Sequence, residues 1–254
     1  MEHLLEIKDL KVEFPSKAGN IHAVNGVNLY VDEGEILGVV GESGCGKSVT
    51  LSNVLGLVEA PPAVISGEIC FNGENILYKK DKEFRKIRGK EIAMIFQDPM
   101  ASLNERAKVD YIVSEGLLNF HMYKDEADRE AKVQKALREV GLLPEFASRF
   151  PHEFSGGQRQ RIGIARALIM EPEFVVADEP ISALDVSIRA QVLNLLNQLK
   201  ASRGLTYLFI AHDLSVVRFI SDRIAVIYKG RIVELAEAEE LFHHPLHPYT
   251  KALL

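Results

Sequence analysis

Two glycine-rich turns in this sequence have the residue types and spacing that anion binding requires. The first, residues 41–48, reads GESGCGKS and matches the pattern G-x-x-x-x-G-K-[ST]. The second, residues 154–158, reads FSGGQ and leads through the basic run RQR into an apolar helical pattern. A serine followed by two glycines lets the backbone approach an anion closely, and a helix beginning there points its positive end at that anion. The sequence therefore predicts two separate anion-binding turns.

The first turn stands in the context that a phosphate-binding loop requires. It follows the continuous apolar run at residues 36–40 and precedes apolar residues at helical spacing from Lys47 to about Val58. In such a loop the backbone N–H groups surround the phosphates of a nucleotide, Lys47 reaches the β and γ phosphates, and the Ser48 hydroxyl binds Mg²⁺. The candidate nucleotide-binding residues of this loop are Gly41, Ser43, Gly44, Cys45, Gly46, Lys47, Ser48 and Val49.

Two adjacent carboxylates, Asp178 and Glu179, follow an apolar strand predicted over residues 174–177. They emerge at the carboxyl edge of the sheet, where ligands of open α/β folds bind. We expect Asp178 to hold Mg²⁺ and Glu179 to orient or deprotonate an attacking water. The alternative is an acidic turn that only caps the following helix.

Two further polar residues also follow predicted strands. Gln97 comes after the apolar residues 92–96, and His212 comes after residues 207–210. Taken alone, a glutamine in such a place is normally a loop residue, and a histidine at a strand end is more often structural than catalytic. Both become candidate catalytic residues only in combination with the other motifs.

Composition limits the class of protein. The chain has 254 residues, of which 47% are hydrophobic and 26% charged, and its net charge of −6 argues against a surface built mainly for nucleic acid. Its longest apolar runs fall short of the roughly 20 residues that a membrane-spanning helix needs. The start, MEHLLEIKDL, lacks the basic region and cleavage site of a secretory signal. Cys45 and Cys70 form no CxxC pair, and Cys45 is more simply a small residue in its turn than a redox switch.

Strands alternate with helices along much of the chain, which predicts an α/β fold with a mostly parallel core sheet. Apolar alternation at residues 4–14 and 27–31 predicts an antiparallel sheet as well. Residues 224–228 and 232–235 flank Lys229 and Gly230, which is typical of a hairpin.

Residues 98–162 differ from the rest because helical, charge-rich segments replace the apolar strands. One of them is a helix predicted over residues 125–140 with a modest apolar stripe. We therefore expect one domain, in which residues 1–97 and 163–254 form the core and the antiparallel subdomain. Residues 98–162 are then an inserted helical subdomain.

In this order, the motifs resemble those of the nucleotide-binding subunits of ABC transporters, and the resemblance covers nearly the whole chain. It implies a P-loop NTPase fold and ATP hydrolysis. The matching segments are the Walker A loop at residues 41–48, the Q-loop at Gln97, the signature at residues 154–158, the Walker B strand at residues 174–178, the catalytic glutamate at Glu179, the D-loop at residues 182–185 and the switch histidine at His212.

Two positions depart from the family pattern. Phe154 stands where leucine is commonest, and Ile181 stands where threonine or serine is usual. Neither departure removes a phosphate or water ligand. The resemblance also implies an aromatic residue on an early strand that stacks on adenine. Phe14 is the candidate, and a core phenylalanine is the alternative.

The resemblance implies that two ATPase subunits face each other head to tail, with ATP and Mg²⁺ as cofactors. Ser155, Gly156, Gly157, Gln158 and Asp185 would then contact the nucleotide held by the second subunit, so hydrolysis would require dimerisation. Gln97 would join the Mg²⁺ ligands and link them to membrane subunits. The other implied partners are two integral permease subunits, which place the chain at the cytoplasmic face of the membrane, and indirectly an extracytoplasmic solute-binding protein.

Within the family, the sequence is most similar to the ATPases of oligopeptide and dipeptide importers and their nickel-importing relatives. The resembling stretches are ISGEI at residues 65–69, IFQDPMASLN at residues 95–104 and HPLHPYT at residues 244–250. The sequence KSV at residues 47–49 resembles one of the two unlike ATPases of such systems, which implies a heterodimer, with a homodimer as the alternative for the isolated chain. Relatives often continue into a cysteine-containing segment that holds an iron–sulfur cluster. We expect no such cluster within residues 1–254.

Three alternatives remain. A soluble ABC ATPase acting on nucleic acid or ribosomes usually has tandem cassettes, coiled-coil insertions or zinc modules, none of which is visible in the sequence. A regulatory module without turnover is disfavoured by the intact Lys47, Glu179 and His212. His243, His244 and His247 have the composition of a metal site, although a surface loop explains them more simply.

Overall fold

The computed structural model of the chain describes residues 3–17 and 19–254, with the backbone alone for residues 99 and 100. Met1 and Glu2, at the start of the segment considered above as a secretory signal, and Ala18 lie outside the described residues. The chain divides into two compact units. The first comprises Met1–Lys86 and Thr206–Leu254, and the second comprises Ile87–Leu205.

Strands and helices alternate along the chain, as the α/β prediction requires. Two short 3₁₀ turns, Pro144–Ser148 and Pro151–Glu153, join the helices of the second unit. The elements in chain order are β1 Leu5–Phe14, β2 Ile21–Val31, β3 Ile36–Val40, α1 Lys47–Val54, β4 Val64–Phe71, β5 Glu74–Asn75, α2 Asp81–Ile87, β6 Ile92–Ile95, α3 Pro99–Ser102, α4 Val109–Phe120, α5 Glu126–Glu139, α6 Gly156–Leu168, β7 Phe174–Asp178, α7 Val186–Arg203, β8 Thr206–Ile210, α8 Leu214–Ile220, β9 Arg223–Tyr228, β10 Arg231–Glu237, α9 Ala238–His243 and α10 Pro248–Leu253.

The first unit contains an antiparallel sheet with the strand order β2-β1-β4-β5. Its strands β1 and β2 confirm the predicted antiparallel pair, although β2 begins six residues before the predicted start at Val27. Gly26 lies inside β2, opposite the irregularity of β1 between Leu10 and Lys11. A Cβ atom at Gly26 would lie 2.9 Å from a carboxylate oxygen of Asp9. Glycine here permits close pairing instead of ending the strand.

A second group of strands in the first unit runs in the order β10-β9-β3-β8. β3 pairs in parallel with both β8 and β9, and β9 and β10 form the predicted hairpin. Every residue of β3 and of β8 is buried, which explains their continuous apolar sequences. The register pairs Val39 with Ile210. Gly41 and His212 therefore each follow two residues after a paired position, at the same edge of the sheet.

In the second unit, β6 and β7 pair in parallel and their register joins Ile95 to Ala177. Gln97 and Glu179 likewise follow two residues after the paired positions. All the regular elements from residue 99 to residue 168 are helical, as the charge-rich sequence predicted. α5 lies within one residue of the predicted bounds, and Asp125 caps it by accepting a hydrogen bond from the backbone N–H of Asp128 at 2.9 Å. Among the described residues, no helix combines the length and apolar character needed to cross a membrane.

Candidate functional site

The phosphate loop connects the carboxyl end of β3 to the first residue of α1. Lys47 is the first residue of α1 and is only 6% exposed. Its Nζ donates hydrogen bonds to the carbonyl oxygens of Gly41 at 2.6 Å and Glu42 at 2.9 Å. The ammonium group therefore lies across the loop that precedes it.

The shape of this loop depends on contacts with distant parts of the first unit. The hairpin turn between β9 and β10 donates the N–H of Gly230 to the carbonyl of Cys45 at 2.9 Å. Gly46 has φ of +106°, and a Cβ atom there would lie 2.5 Å from the carbonyl oxygen of Ala23. A side chain at residue 46 would therefore push the loop away from β2. Glycine is required here both for backbone conformation and for space.

The remaining side chains of the loop differ in accessibility. Ser43, Gly44 and Ser48 are exposed, whereas Cys45 is buried and Val49 is half-buried. The Ser48 hydroxyl is thus accessible at the start of α1, as a metal ligand must be. Burial raises the pKa of the Cys45 thiol, and Lys47 only partly opposes that effect. The thiol stays protonated near neutral pH, which favours the interpretation of Cys45 as a small packed residue over a redox switch.

The carboxyl ends of β6 and β7 bring two of the candidate catalytic residues into direct contact. The side-chain amide nitrogen of Gln97 donates a hydrogen bond to a carboxylate oxygen of Glu179 at 3.1 Å. Asp178 is the last residue of β7 and half-buried, and Glu179 follows it immediately. The two carboxylates do not simply cap α7, because that helix begins at Val186, beyond the D-loop.

Glu179 has a backbone conformation that non-glycine residues rarely adopt, with φ of +46°. Both the backbone N–H and the hydroxyl of Ser182 donate to the carbonyl oxygen of Glu179, at 3.2 and 3.1 Å. These bonds and the bond from Gln97 hold the residue in this conformation. Backbone strain that is fixed by several neighbours is frequent at active sites, where it aims a side chain.

The signature turn begins α6 with two reciprocal hydrogen bonds. The Ser155 hydroxyl accepts from the backbone N–H of Gln158 at 3.4 Å, and the Gln158 side-chain oxygen accepts from the backbone N–H of Ser155 at 3.0 Å. This is a capping box, so the predicted helix start is confirmed. Phe154 is buried and packs edge-on against Phe146 with ring centroids 5.3 Å apart, which anchors the turn in the second unit.

The two glycines of the signature turn have different surroundings. Gly156 is exposed, and a Cβ atom there would approach nothing closer than Leu184 at 3.8 Å. Gly157 is buried, and a Cβ atom there would lie 2.4 Å from a methyl carbon of Ile188. The close packing of α6 on α7 therefore explains Gly157 within this chain, whereas no packing contact explains Gly156.

The other candidate residues lie at the ends of elements. Asp185 precedes α7 and is exposed, and its side chain accepts no capping hydrogen bond from that helix. His212 is exposed after β8, and the neighbouring Asp213 caps α8. Phe14 ends β1, is half-buried, and pairs with Ile21, which is 59% exposed. Whether Phe14 stacks on adenine stays a prediction.

The three histidines near the C-terminus have different hydrogen-bond and ion-pair partners. His243 and His244 pair with Glu239 and Glu240, one helical turn before them, and the ring of His247 accepts a hydrogen bond from the N–H of Tyr249. Across residues 3–17 and 19–254, no three histidine, cysteine or acidic side chains are arranged to hold a metal ion. The partners of these histidines are those of residues at helix ends.

Sequence reasoning did not identify two residues that contact the phosphate loop, Gly230 and Tyr249. The Tyr249 hydroxyl accepts a hydrogen bond from the backbone N–H of Glu42 at 3.0 Å. The pattern HPYT at residues 247–250 was the available signal, but it carried no information about which part of the chain the tyrosine contacts.

Comparison with known proteins identifies relatives over the full length of the chain. The family model described as ABC transporter matches residues 24–182. The oligopeptide transport ATP-binding protein AmiF of Streptococcus pneumoniae is 60% identical, over 100% of this chain and 81% of that protein. OppF proteins with the same description are 55% identical in Bacillus subtilis, over 100% of this chain and 82% of theirs, and 52% identical in Salmonella typhimurium, over 99% and 76%.

Solved structures of similar fold are ATP-binding cassettes. MJ0796, in a dimeric post-hydrolysis state bound to ADP and Pi, has a TM-score of 0.81 and 28% identity, covering 92% of this chain and 98% of that chain. CbiO1 from Clostridium perfringens, part of the ABC transporter complex cbiONQ, has a TM-score of 0.82 and 29% identity, covering 96% and 92%.

Proposed function

The chain belongs to the ABC transporter family, and from that premise we propose that it is the ATP-hydrolysing subunit of an importer of oligopeptides or dipeptides. The assignment of ATP hydrolysis rests on the contact between Gln97 and Glu179 at the ends of two parallel strands. Glu179 directly follows Asp178 in the sequence. The assignment of peptides as the transported solute is supported by relatives at 52–60% identity that are described as oligopeptide transport ATP-binding proteins.

The phosphate loop is assigned to the nucleotide. Its backbone N–H groups surround the phosphates, and Lys47 exchanges the carbonyls of Gly41 and Glu42 for phosphate oxygens. Ser48, Asp178 and Gln97 supply a hydroxyl, a carboxylate and an amide oxygen, and this set of hard donors fits Mg²⁺. Bound Mg²⁺ would neutralise charge that develops on the phosphates during hydrolysis. Phe14 is assigned to the adenine ring.

Glu179 is assigned as the general base that acts on water. Its strained backbone and its bond to Gln97 fix the carboxylate before the nucleotide is engaged. Because Gln97 contacts the base directly, a displacement of Gln97 by a membrane subunit would reach the attacking water. His212 follows β8 at the same sheet edge as the phosphate loop and is assigned to the γ-phosphate.

The signature turn and Asp185 are assigned to a second ATPase subunit. Ser155, Gly156 and Asp185 are exposed, and the N–H groups at the start of α6 suit an anion delivered from outside the chain. The solved dimer of MJ0796 with ADP and Pi supports such an arrangement. The proposed assembly is a heterodimer of ATPase subunits at the cytoplasmic face of the membrane, together with two permease subunits and, indirectly, an extracytoplasmic solute-binding protein. It includes no nucleic acid. Residues 98–162 are its proposed helical subdomain.

The substitution Glu179→Gln tests this function in membrane vesicles that contain the chain with its co-purified transporter subunits. Loss of the base should lower the ATPase kcat by about 10²- to 10⁴-fold and abolish ATP-driven uptake of a labelled oligopeptide. ATP-dependent association of the subunits should persist. Glu130→Gln, an exposed change of equal charge on α5, is the matched control and should leave both rates unchanged.

Two outcomes contradict the proposal at different levels. If Glu179→Gln hydrolyses ATP at the normal rate, the assignment of the catalytic base is wrong. If the unmodified transporter accumulates Ni²⁺ and no peptide, the ATPase assignment stands and the peptide assignment is wrong.

A further inference from the structure

The C-terminal segment of the first unit is fastened to β10 before it reaches the phosphate loop. A carboxylate of β10, Glu234, accepts the backbone N–H groups of Leu246 at 2.8 Å and His247 at 2.9 Å. Burial acts to raise the pKa of Glu234, but the hydrogen bonds it accepts outweigh burial and lower it. Glu234 is therefore ionised at neutral pH and holds the segment firmly. The ring of His247 then caps α10 through the N–H of Tyr249.

Tyr249 extends from this fixed segment to the phosphate loop. Its ring packs against Tyr228, the last residue of β9, with centroids 4.2 Å apart and planes inclined by 32°. Its hydroxyl accepts the backbone N–H of Glu42 at 3.0 Å. Burial raises the pKa of Tyr249, so the phenol stays neutral at physiological pH.

The loop lysine bonds both peptide units that flank Glu42, including the Gly41–Glu42 unit whose N–H Tyr249 accepts. The carbonyl of Glu42 accepts the Nζ of Lys47 at 2.9 Å and the backbone N–H of Cys45 at 3.3 Å. Glu42 is therefore held on its N–H side by Tyr249 and on its carbonyl side by Lys47. When a nucleotide draws Lys47 onto its phosphates, the bond to Tyr249 and the turn bond from Cys45 remain at Glu42, and of these only the bond to Tyr249 reaches outside the loop.

The side chains of the loop offer little alternative anchorage at this point. Glu42, Ser43 and Gly44 are exposed, and a Cβ atom at Gly44 would contact nothing within 4 Å. We propose that Tyr249 is a positioning residue, which holds the first turn of the phosphate loop in its nucleotide-binding shape and so sets the affinity for ATP. This inference rests on the proposed function, because it assigns the loop to ATP.

A purely structural role is the competing explanation. In that case Tyr249 only closes α10 onto β9, and losing its hydroxyl would lower the melting temperature without changing the loop or the affinity for ATP. The two roles therefore differ in what happens at Glu42, more than 200 residues from the substitution.

The test is Tyr249→Phe, which keeps the ring on Tyr228 and removes only the acceptor. A neutral hydrogen bond of ordinary strength corresponds to about a 2- to 12-fold change in an equilibrium constant. The Kd for ATP of the purified full chain should rise by that factor, and kcat at saturating ATP in the transporter should change less than about 2-fold. In nucleotide-free protein, hydrogen exchange at the Glu42 amide should accelerate. Tyr228→Phe, which alters the same ring pair but leaves the Tyr249 hydroxyl, is the control and should change neither quantity.

The outcomes separate this inference from the proposed function. An unchanged Kd together with unchanged exchange at Glu42, in protein that binds ATP normally before substitution, overturns the positioning role alone. If the unsubstituted chain does not bind ATP at all, the proposed function fails and the inference fails with it. A fall of kcat alone, with the Kd unchanged, also contradicts the positioning role.

Discussion

The two glycine-rich turns are similar in sequence but are built by different means. In the phosphate loop, Gly46 has φ of +106° and lies against the backbone of β2, so the surrounding fold dictates the shape of the loop. In the signature turn, neither glycine has positive φ, and Ser155 and Gln158 satisfy each other in a capping box. Other parts of its unit therefore fix the conformation of the first turn, whereas hydrogen bonds between its own residues close the second.

This difference matches the two roles proposed for the turns. Under the proposed function, a loop shaped by its surroundings would be preorganised to receive phosphate within one chain, and Lys47 already lies across it. A turn that is complete in itself, with an exposed serine and glycine, presents a finished surface to another molecule. The contrast agrees with a nucleotide site in one subunit that a second subunit completes.

The first and largest prediction concerns Gly46→Ala. Backbone strain of about 1–3 kcal/mol should add to a steric cost of about 1–3 kcal/mol from the contact with Ala23. The free energy of unfolding in denaturant should fall accordingly, and ATP binding by the single chain should be lost. Gly44→Ala is the matched control, since it has φ of +79° but open space around it, and should cost only about 1–2 kcal/mol. Equal losses for the two variants would show that the fold does not shape this loop.

The second prediction concerns the two adjacent glycines of the signature turn. Gly157→Ala places a methyl group against Ile188 and should destabilise the chain by about 1–3 kcal/mol. Gly156→Ala meets no such obstacle, and the preference of alanine for helices should offset any cost, so its stability should stay within about 1 kcal/mol of the unsubstituted chain. Thermal and denaturant unfolding measure both variants.

If the exposed turn meets a second subunit, Gly156→Ala, the variant with the smaller effect on stability, should have a clear effect on ATP turnover. Gly156→Ala should lower turnover in the assembled transporter despite its normal stability, because a methyl group then stands on the exposed surface of the turn. Normal turnover by Gly156→Ala would contradict the assignment of this surface to a second subunit.

Local sequence was sufficient for elements with strong patterns. The buried strand β3, the phosphate loop and α5 agree with prediction to within a residue because period and capping residues mark them. α1 ends at Val54, not near Val58, because Gly56 closes it with φ of +59° and its N–H bonds back to Asn53. A glycine just past a helix is a recognisable stop signal, so this boundary was predictable in principle.

Other features depend on contacts that the local sequence does not encode. β4 alternates between more and less exposed residues, but only Ile69 and Phe71 near its end are buried, and its local sequence does not indicate where that burial begins. The contact between Gln97 and Glu179 follows from the pairing of β6 with β7 across more than 80 residues. The bond from Glu42 to Tyr249 and the contact of Gly157 with Ile188 arise only when distant elements pack. The sequence identified which residues carry the chemistry, and packing determined which of them meet.

The third and smallest prediction concerns Ser155→Ala. Loss of the cap should destabilise the chain by about 1 kcal/mol, and Gln158→Ala should have a non-additive effect with it, because each side chain bonds the other's backbone N–H. A double-mutant cycle in denaturant measures that coupling. The Kd of the single chain for ATP should stay unchanged in Ser155→Ala, whereas ATPase activity of the assembled transporter should fall. A higher Kd for ATP in the single chain would place the signature turn at the nucleotide site of its own chain. The distinction between the two turns would then be lost.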